Sequence, residues 1–423
     1  MWYAVVTMTI PRPRARVVSI GDELLNGRTV DTNATYLARL LTDAGFRMAG
    51  TTVVGDAQAE IAAALRGVGP VEVVVVTGGL GPTEDDRTRH ALAEVLGVPL
   101  AESPAAWRAI VRRWRAVRPG QEPPAANRRQ ALLPVGAEAL ANDRGTAPGL
   151  WVRHGQTWIA CLPGVPHEMA AMATRLLPRL RRHLTLPVQR VAELYLAGVG
   201  ESTVQAHLEG QFASEDPQVG ITVSDAGHLT LRVVGTPAAV AAKVRVLARR
   251  IAPWRLPKPG LAASIVAELA RRGDTVTTAE SCTVGGVVAA LGAVPGASAV
   301  LSEALVAYTP AAKARRLGVS STALAQVVSA SCATAMARGA RRRSGATWAV
   351  ATTGIAGPTG GTAELPCGTV WCAVAGPTGV AVRTRRWAGD RAAVQRGAVA
   401  EALRLLWEAL QGDPSSPALT LPC

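Results

Sequence analysis

The sequence predicts an α/β protein with two three-layer α/β domains that are joined by a small α+β module. Its 423 residues are enough for two or three domains. Strand and helix patterns alternate over residues 15–182 and again over 261–412, with a proline-rich stretch at 253–260. A hydrophobic content of 48% with 18% charged residues is typical of a folded globular protein and excludes a disordered chain.

Residues 15–182 are predicted to form a first domain with a parallel, doubly wound sheet, because strands and helices alternate with short loops. The apolar residues of the first predicted helix recur at helical spacing, and Gly45 marks its end. The elements are, in order, a strand at 15–20, a helix at 33–44, a strand at 71–76, a helix ending at Leu96 and a strand at 158–162.

Residues 190–252 are predicted to form the small α+β module, and residues 253–260 a linker. The module has two short strand patterns, near 194–196 and 228–234, and a helix at 237–251. The second α/β domain covers residues 261–412. Its elements are a helix at 261–272, a strand at 275–279, a helix from Gly285, a strand at 304–308, a helix at 329–343, strands at 348–352 and 369–374, and a helix at 391–410.

The formal net charge of +14 comes largely from arginine pairs along the predicted helices. These pairs are not interleaved with aromatic residues as in a base-stacking platform, so we interpret them as solvated helix faces. A basic surface still favours anionic small molecules such as nucleotides. We therefore expect small-molecule nucleotides as partners, and no nucleic acid.

The cysteine pattern and the apolar runs indicate a reduced, cytoplasmic protein without a membrane span. None of the six cysteines forms a C-x-x-C pair, which makes a structural zinc site improbable. No apolar run reaches the roughly 20 residues that a membrane helix needs. Residues 1–14 do not form a signal peptide, since their basic residues follow the apolar stretch, and translation starting at Met8 is an alternative to Met1.

Three polar loops of the first domain follow predicted strands or open helices, where α/β sheets bind ligands. Glycine lets the backbone approach a phosphate, and carboxylates suit a hard divalent metal on a pyrophosphate. The alternative is that these are ordinary turn residues and that the acids favour a helix start. The candidate ligand-binding residues are Asn33, Gly78, Gly79, Gly81, Thr83, Pro163 and Gly164. The candidate metal ligands are Asp22, Glu23, Asp85 and Asp86.

The order of these loops resembles the molybdopterin-binding domain of molybdenum-cofactor biosynthesis proteins. The matching pieces are GDELLNG, DTN, TGGLGPTEDD, APGL and LPGVPHEM, and the resemblance covers about residues 15–180.

Lysine is scarce, and one copy lies where chemistry could use it. Only Lys243, Lys258 and Lys313 are lysine among 45 basic residues. A desolvated lysine can accept a proton, whereas arginine stays protonated. Lys243 and Lys258 fit a helix surface and the linker, so scarcity alone does not decide the role of Lys313.

Ser281, Tyr308 and Lys313 are the candidate catalytic residues. Ser281 follows a predicted strand and precedes a helix, the turn on which hydrolases place a nucleophilic serine near helix N–H groups. A neutral Lys313 could take its proton, with Tyr308 orienting or relaying it. The glycine-rich loop 352–361 could supply oxyanion or phosphate donors. This arrangement predicts acyl transfer from an amide or ester, with Thr283, Gly285, Thr353, Gly354 and Gly357 as candidate substrate-binding residues.

Two alternatives remain open on the residues alone. Cys282 is the stronger intrinsic nucleophile and could act with Lys313 and Glu280. Neighbouring residues of an extended segment point to opposite sides, so only one of Ser281 and Cys282 is expected to face the site. The second alternative is purely structural, with Ser281 as a helix cap and with Cys282 and Tyr308 in the core.

Residues 261–410 resemble the nicotinamide-nucleotide amidase domain of the CinA (competence/damage-inducible protein) family. The matching pieces are TTAESCT, VPGAS, VAYTPAAK, LGVS, VVSASCA, TTGIAGPTGG, PCGTV and AGDR; the first domain and the segment AGVGES also fit. The resemblance implies hydrolysis of nicotinamide mononucleotide to nicotinate mononucleotide and ammonia by Ser281, Tyr308 and Lys313, without a cofactor. It also implies a metal-dependent ADP-ribose pyrophosphatase in the first domain, with a divalent metal of unassigned identity, and we expect a homodimer.

One residue departs from the family pattern, which reads AESCT followed by two glycines. Here Val284 stands at the first of those positions, and it could crowd the ligand or demand a strained backbone, so amidase activity could be weakened or lost. A non-catalytic nucleotide- or pterin-binding protein is therefore a rival interpretation. A DNA-associated competence or repair factor is a second rival, which the scattered arginines disfavour.

Overall fold

The computed structural model describes residues 12–214, 216–224 and 228–412, together with the backbone of 419–421. The interpretation of the amino-terminal segment, including the alternative start at Met8, concerns residues that lie largely outside this range. The chain divides into two compact units at residue 190. Within the described part, no helix is both long and apolar enough to cross a lipid bilayer, and the five cysteines are free thiols.

The first unit contains eight strands, six α-helices and a short 3-10 helix at 125–131 among its described residues. The strands are β1 (Arg14–Ile20), β2 (Arg47–Val54), β3 (Val73–Thr77), β4 (Leu100–Glu102), β5 (Leu132–Pro134), β6 (Glu138–Leu140), β7 (Gly149–His154) and β8 (Thr157–Leu162). The helices are α1 (Asp22–Leu25), α2 (Thr32–Ala44), α3 (Gln58–Arg66), α4 (Thr88–Leu96), α5 (Pro104–Val117) and α6 (Pro166–His183).

The main sheet of this unit has the order β2-β1-β3-β8-β7-β6. Its first four strands are parallel, but β7 and β6 are antiparallel additions, so the prediction of a wholly parallel sheet is wrong at one edge. Side chains alternate across the sheet, with Val17 in one core cluster and Val18 in another. Two apolar faces covered by helices make the three layers that the sequence predicted.

The second unit begins with the elements of the small module and continues with the second α/β sheet. The module contains β9 (Arg190–Leu196), α7 (Glu201–His207), β10 (Gln218–Val223), β11 (Leu229–Gly235), α8 (Pro237–Arg250) and β12 (Arg255–Leu256). The remaining elements are α9 (Leu261–Arg272), β13 (Val276–Glu280), α10 (Gly286–Gly292), β14 (Leu301–Val306), α11 (Pro310–Leu317), α12 (Ser321–Leu324), α13 (Ala330–Ser344), β15 (Trp348–Gly354), β16 (Thr369–Gly376), β17 (Gly379–Arg386), α14 (Arg391–Gln411) and β18 (Leu419–Leu421).

The module forms a four-stranded sheet in the order β10-β11-β9-β12. Its last strand lies in the segment that the sequence predicted to be a linker, where Arg255 and Leu256 pair antiparallel with β9. The proline-rich stretch is therefore partly structured, because Arg255 and Leu256 carry the backbone N–H groups that proline lacks and can complete a sheet edge.

The second α/β sheet has the order β14-β13-β15-β16-β17-β18. Strands β14, β13 and β15 are parallel, so their carboxyl ends meet at one edge. Strands β16, β17 and β18 follow antiparallel, and β17 was not predicted from the sequence. Helices cover both faces, and two core clusters form on them. The shared edge of the three parallel strands positions the candidate catalytic residues.

Candidate active site

The segments after β13 and β14 carry the candidate catalytic residues to one edge of the second sheet, next to the end of β15. Ser281 follows β13 directly, and its N–H donates to Thr352 O on the neighbouring β15 at 3.0 Å. Ala307, after β14, donates its N–H to Glu280 O at 2.8 Å. These backbone bonds extend the sheet by one residue and hold the serine turn rigidly between its two neighbours.

Lys313 brings the second catalytic group to Ser281. It lies in α11, whose first turn is capped by Thr309 through a 3.1 Å bond from Ala312 N–H. The lysine Nζ lies 2.8 Å from Ser281 Oγ, 3.0 Å from Ala307 O and 2.9 Å from Tyr308 O. The structure thus brings together the serine and the lysine that the sequence singled out.

The Lys313 side chain is completely buried, with 0% of its surface exposed. Burial lowers the pKa of its ammonium group below the ordinary value of 10.5, and only the thiols of Cys332 and Cys282 oppose this shift. No carboxylate among the described residues forms an ion pair with it. The site therefore makes the neutral amine, the form that can accept a proton, more accessible than it is for a surface lysine.

The three partners of Lys313 can serve its amine in either protonation state. An NH₂ group has two N–H donors and one lone pair, and carbonyl oxygens can only accept. The carbonyls of Ala307 and Tyr308 therefore take the two N–H groups. In the ammonium form the third N–H donates to Ser281 Oγ, and the serine hydroxyl faces Tyr308 O at 3.5 Å. In the neutral form the lone pair can face the Ser281 hydroxyl, which is the arrangement that general-base activation of a serine requires.

Glu280 holds the serine turn to the start of α10 through hydrogen bonds. Its buried carboxylate accepts bonds from Thr283 Oγ1 at 2.6 Å, Val287 N at 3.0 Å and Val288 N at 2.9 Å. Thr283 Oγ1 also lies 2.7 Å from Thr352 Oγ1. The first N–H groups of α10 are thereby occupied, so the expectation that they receive negative charge from the substrate is wrong.

Cys282 is buried in the core beside the serine turn. Its side chain is 4% exposed and packs in the core cluster that contains Val287 and Leu291. Burial raises the pKa of the Cys282 thiol to about 12, so the thiolate that would act as nucleophile is disfavoured. Its backbone carbonyl accepts a 2.8 Å bond from Gln395 Nε2. The geometry favours Ser281 over the Cys282–Glu280 alternative.

Tyr308 lies at the entrance of the site, with 54% of its surface exposed. This exposure is inconsistent with the alternative that placed Tyr308 in the core. Its phenol oxygen accepts a 3.0 Å bond from Arg391 Nη2, and Arg391 Nη1 donates to Gly357 O at 3.2 Å. Arg391 thus connects the Tyr308 loop to the glycine-rich loop, a role that the sequence did not assign.

Two candidate substrate-binding residues, Thr353 and Gly354, end β15 and are packed within the fold. Thr353 donates its hydroxyl to Val327 O at 2.9 Å. A Cβ atom at Gly354 would lie 2.6 Å from Val370 Cγ2, so glycine is needed for contact with β16. The Thr283 hydroxyl is likewise used internally, so any substrate contact by these three residues would involve the backbone.

Val284 adopts the left-handed conformation that the sequence departure predicted. Its φ is 51°, the one positive value outside glycine in the described part of the chain, and 51% of its surface is exposed. This conformation costs an L-residue roughly 1–2 kcal/mol, and β-branched residues rarely adopt it. Gly285 follows with φ 90°. The strain therefore lies directly beside the candidate nucleophile.

In the first unit, Asn33 belongs to the first of the three polar loops and contacts the other two. Its Nδ2 donates to Gly164 O at 2.7 Å and to Thr77 Oγ1 at 3.1 Å, and Thr77 Oγ1 donates to Pro163 O at 3.0 Å. Asn33 Oδ1 is buried and has no hydrogen-bond partner among the described residues. This oxygen remains able to accept a bond from a ligand.

The glycines of the second loop permit close backbone contacts. A Cβ atom at Gly78 would lie 2.3 Å from Ile20 O, and one at Gly79 would lie 2.3 Å from Thr88 Oγ1. Both residues have positive φ, at 110° and 64°. Only glycine fits there, because the backbone of this loop lies directly against Ile20 and Thr88.

Asp86 closes the second loop on itself. Its carboxylate accepts bonds from Gly81 N at 2.6 Å, from Thr83 N at 2.8 Å and from the Thr83 hydroxyl. The buried Arg89 donates to Leu80 O at 2.7 Å, and burial lowers its pKa to about 10. These contacts fix the loop shape and occupy Asp86, Gly81 and Thr83 within it.

The remaining acids lie near a carboxylate that the sequence analysis missed. Asp22 N donates to Asp56 Oδ2 at 3.0 Å, and Asp56 N donates to Asp22 Oδ1 at 3.2 Å. Burial raises the pKa of Asp56, and the charges of Asp22, Glu23 and Asp85 raise it further. Within the described ranges, no three ligand-type side chains are grouped closely enough to hold a metal ion. These described residues do not form a metal cage.

Four contributing residues were missed because the sequence carries weak signals for them. Asp56 follows β2 in the pattern Gly-Asp, an ordinary turn pair, and Thr352 is a polar residue inside a strand. Arg89 is one arginine among many in a basic chain. Arg391 was noted only as part of AGDR. A cation at the start of a helix is electrostatically unfavourable, and this could have indicated that Arg391 has a role other than stabilising the helix.

Comparisons with known proteins agree with this architecture. The family model for the CinA C-terminal domain matches residues 259–410, and that for a probable molybdopterin binding domain matches residues 16–182. A CinA-like protein from Anaeromyxobacter sp. (strain Fw109-5) is 42% identical over 414 residues, which cover 93% of this chain and 98% of that protein. A second CinA-like protein, from Anaeromyxobacter dehalogenans (strain 2CP-C), is 39% identical over 417 residues, which cover 94% of this chain and 100% of that protein.

Among solved structures, competence/damage inducible protein CihA from Agrobacterium tumefaciens is 40% identical to the matching part of this chain. The match covers 36% of this chain and 97% of that protein, with a TM-score of 0.35. The resemblance drawn from the sequence is confirmed by the full-length relatives. The chain therefore belongs to the CinA-like proteins.

Proposed function

We propose that the second unit hydrolyses nicotinamide mononucleotide to nicotinate mononucleotide and ammonia. The single observation that carries this proposal is the 2.8 Å contact between Ser281 Oγ and the buried Nζ of Lys313. A serine paired with a neutral lysine is suited to attack a carboxamide carbon. The family resemblance supplies the identity of the amide.

In the proposed reaction, Lys313 takes the hydroxyl proton while Ser281 Oγ forms a bond to the carboxamide carbon. The tetrahedral intermediate collapses, its C–N bond breaks, and Lys313 returns the proton to the departing ammonia. A water molecule then attacks the resulting ester, Lys313 removes its proton, and Ser281 Oγ regains a proton as the acid leaves. Backbone N–H groups at Gly285 or in the loop 353–358 are the remaining candidates for stabilising the oxyanion.

Ammonia release from nicotinamide mononucleotide tests this proposal. Wild type should release ammonia, Ser281→Ala should be inactive, and Cys282→Ala should remain active because its thiol is in the core. Full activity of Ser281→Ala together with loss of activity in Cys282→Ala would contradict the assignment of the nucleophile.

For the first unit we propose nucleotide binding, with hydrolysis of the ADP-ribose pyrophosphate in the presence of a divalent metal as the finer hypothesis. The support is the loop geometry around Asn33, Gly78 and Gly79, and the unpartnered Asn33 Oδ1. Turnover of ADP-ribose measured with and without added divalent metal tests it. Wild type that neither binds nor cleaves ADP-ribose would contradict it.

A non-catalytic nucleotide- or pterin-binding protein linked to competence or the DNA damage response is the second candidate function. The strained Val284 beside Ser281 favours it, because this residue could keep the turn from accommodating a substrate. Calorimetry that detects nucleotide binding, with no product after hours of incubation, would support this candidate over the amidase.

A further inference from the structure

The second unit contains a cavity of about 670 Å³ whose wall includes part of the serine turn. The start of α9, the helix α10 and the helix α14 enclose it, and its lining is mostly apolar. Cavities that bind small organic molecules have this size and this character. Neither Ser281 nor Lys313 lines the cavity, so it is distinct from the amidase site.

Small side chains on two helices leave this space open. The helices α10 and α14 approach closely where a Cβ atom at Gly286 would lie 2.8 Å from Val399 Cγ2. Ala290 and Ala400 line the cavity from these helices, and their methyl groups are too short to fill it. One face of α14 forms a continuous wall, because its lining residues recur at helical spacing. They are Ala392, Gln395, Arg396, Val399, Ala400 and Leu403.

The wall of this cavity also holds the serine turn in place. Thr283 and Gly286 both line the cavity, and Thr283 O accepts a 3.0 Å bond from Gly286 N. Gln395 lines it from α14, and its Nε2 donates to Cys282 O at 2.8 Å. A molecule in the cavity would therefore contact the residues that fix the backbone next to Ser281.

Arg396 gives this apolar cavity a positive charge. Its side chain is exposed, and no carboxylate within the described part of the chain forms an ion pair with it. By contrast, Arg404 on the same helix pairs with Glu401 and Glu408. None of the described residues around the cavity is acidic. An apolar space with an uncompensated cation is complementary to an organic molecule that carries one negative charge.

We propose that this cavity binds an organic monoanion with an apolar body, and that its occupancy orders the serine turn. The apolar body lies between α10 and α14, and the acidic group lies at Arg396. The occupant packs against Thr283 and Gln395 and so reduces the freedom of the segment that carries Ser281. The proposal does not depend on the amidase function, because both binding and ordering can be measured without a substrate.

Two fluorescent dyes test the site and its charge on the full-length protein. The dye 8-anilinonaphthalene-1-sulfonate has an apolar ring system with one negative charge, and N-phenyl-1-naphthylamine has the same rings without the charge. Wild type should bind both dyes. Arg396→Gln should weaken binding of the sulfonate about three- to tenfold, as expected for an exposed charge pair, and should leave binding of the uncharged dye unchanged. Competition with benzoate and with octanoate then distinguishes an aromatic from an aliphatic occupant.

Cavity-filling variants test where the dyes bind. Ala290→Phe should abolish binding of both dyes, and Ala400→Phe should do the same from the facing helix. Ala289→Phe, on the exposed side of α10, is the matched control and should bind as wild type does. Circular dichroism should confirm that each variant is folded. In hydrogen exchange, the sulfonate dye should slow exchange over residues 281–290 in wild type and should have no effect in Ala290→Phe.

Several results would overturn the proposal. They are unchanged dye binding in both folded cavity-filling variants, an equal effect of Arg396→Gln on the two dyes, displacement by neither benzoate nor octanoate, and unchanged exchange over residues 281–290. Sedimentation of wild type and Ala290→Phe should give the same oligomeric state. A different state in Ala290→Phe would mean that a second copy of the chain covers the cavity, which would also contradict the proposal.

Discussion

Lys313 Nζ lies 2.8 Å from Ser281 Oγ, and the lysine is buried without a carboxylate partner among the described residues. A surface lysine would be charged at neutral pH and would only donate to the serine. Burial instead shifts the balance toward the amine, which can accept the hydroxyl proton, while the two backbone carbonyls around Nζ hold the group beside Ser281. The pair therefore explains how a serine without a histidine could be activated.

The pH dependence of ammonia release should follow the protonation of Lys313. Because burial lowers the pKa of the ammonium group, the rate should rise with pH and reach its plateau below the ordinary lysine value of 10.5. The pH profile of kcat/KM on nicotinamide mononucleotide measures this. A rate that keeps rising up to pH 10.5 would show that the pKa of the catalytic base is not lowered.

The same shift predicts a pH dependence of stability. Between the lowered pKa of Lys313 in the folded protein and 10.5 in the unfolded chain, the unfolded state binds the extra proton. The free energy of unfolding should therefore increase with pH across that window. Urea unfolding at several pH values should show this slope in wild type and a smaller one in Lys313→Met. Equal slopes in the two proteins would contradict the assignment.

Glu280→Gln should weaken both stability and activity. The carboxylate accepts three bonds, and a glutamine amide would turn its NH₂ group toward N–H donors of Val287 or Val288. The loss of charge-assisted bonds should cost about 1.5–3 kcal/mol of unfolding free energy. Chemical denaturation measures this cost. Glu303→Gln is the matched control, because its exposed 3.7 Å pair with Arg343 should contribute little; equal effects of both changes would contradict the role of Glu280.

Val284→Gly should relieve backbone strain beside the nucleophile. Removing the left-handed valine gains roughly 1–2 kcal/mol, and the greater freedom of glycine in the unfolded chain offsets roughly 0.5–1 kcal/mol. The variant should be as stable as wild type or slightly more stable, and its ammonia release should be equal or higher. Thermal unfolding and the ammonia assay test both statements. A clear loss of activity would show that the Val284 side chain contributes to the site.

Asn33→Ala should affect the first unit alone. It removes the bonds to Gly164 O and Thr77 Oγ1, which should destabilise that unit by about 1–3 kcal/mol and weaken ADP-ribose binding. Ammonia release should not change, because the amidase residues belong to the second unit. Thr35→Ala, on the exposed side of the same helix, is the control for both measurements. Loss of ammonia release in Asn33→Ala would show that the two activities are coupled.

Local patterns were sufficient to predict much of this architecture. Strand and helix alternation predicted the three-layer domains, and the strand-to-helix turn at Ser281 with the rare Lys313 predicted the catalytic pair. The antiparallel strands β6, β7 and β17 were not predicted, because strand direction depends on pairing between distant segments. Likewise, Val284 was flagged from the sequence, but its φ of 51° needed the structure.

The sequence could not show how polar side chains share their hydrogen bonds. Glu280 was a candidate partner of Cys282 in the alternative catalytic set, yet its carboxylate is occupied by the start of α10. Asp86 was a candidate metal ligand, yet its carboxylate closes its own loop. Arg391 reaches Tyr308 across 83 positions of the chain, a contact that no local pattern encodes.

Ammonia release from nicotinamide mononucleotide by Lys313→Arg, compared with wild type, tests the central claim most directly. Arginine keeps the positive charge but cannot act as a base, so the rate should fall by about 10²–10⁴-fold. Circular dichroism should confirm that the variant is folded, and Lys243→Arg, a lysine outside the site, should remain fully active. A folded Lys313→Arg protein that releases ammonia at the wild-type rate would contradict the assignment of Lys313 as the base that activates Ser281.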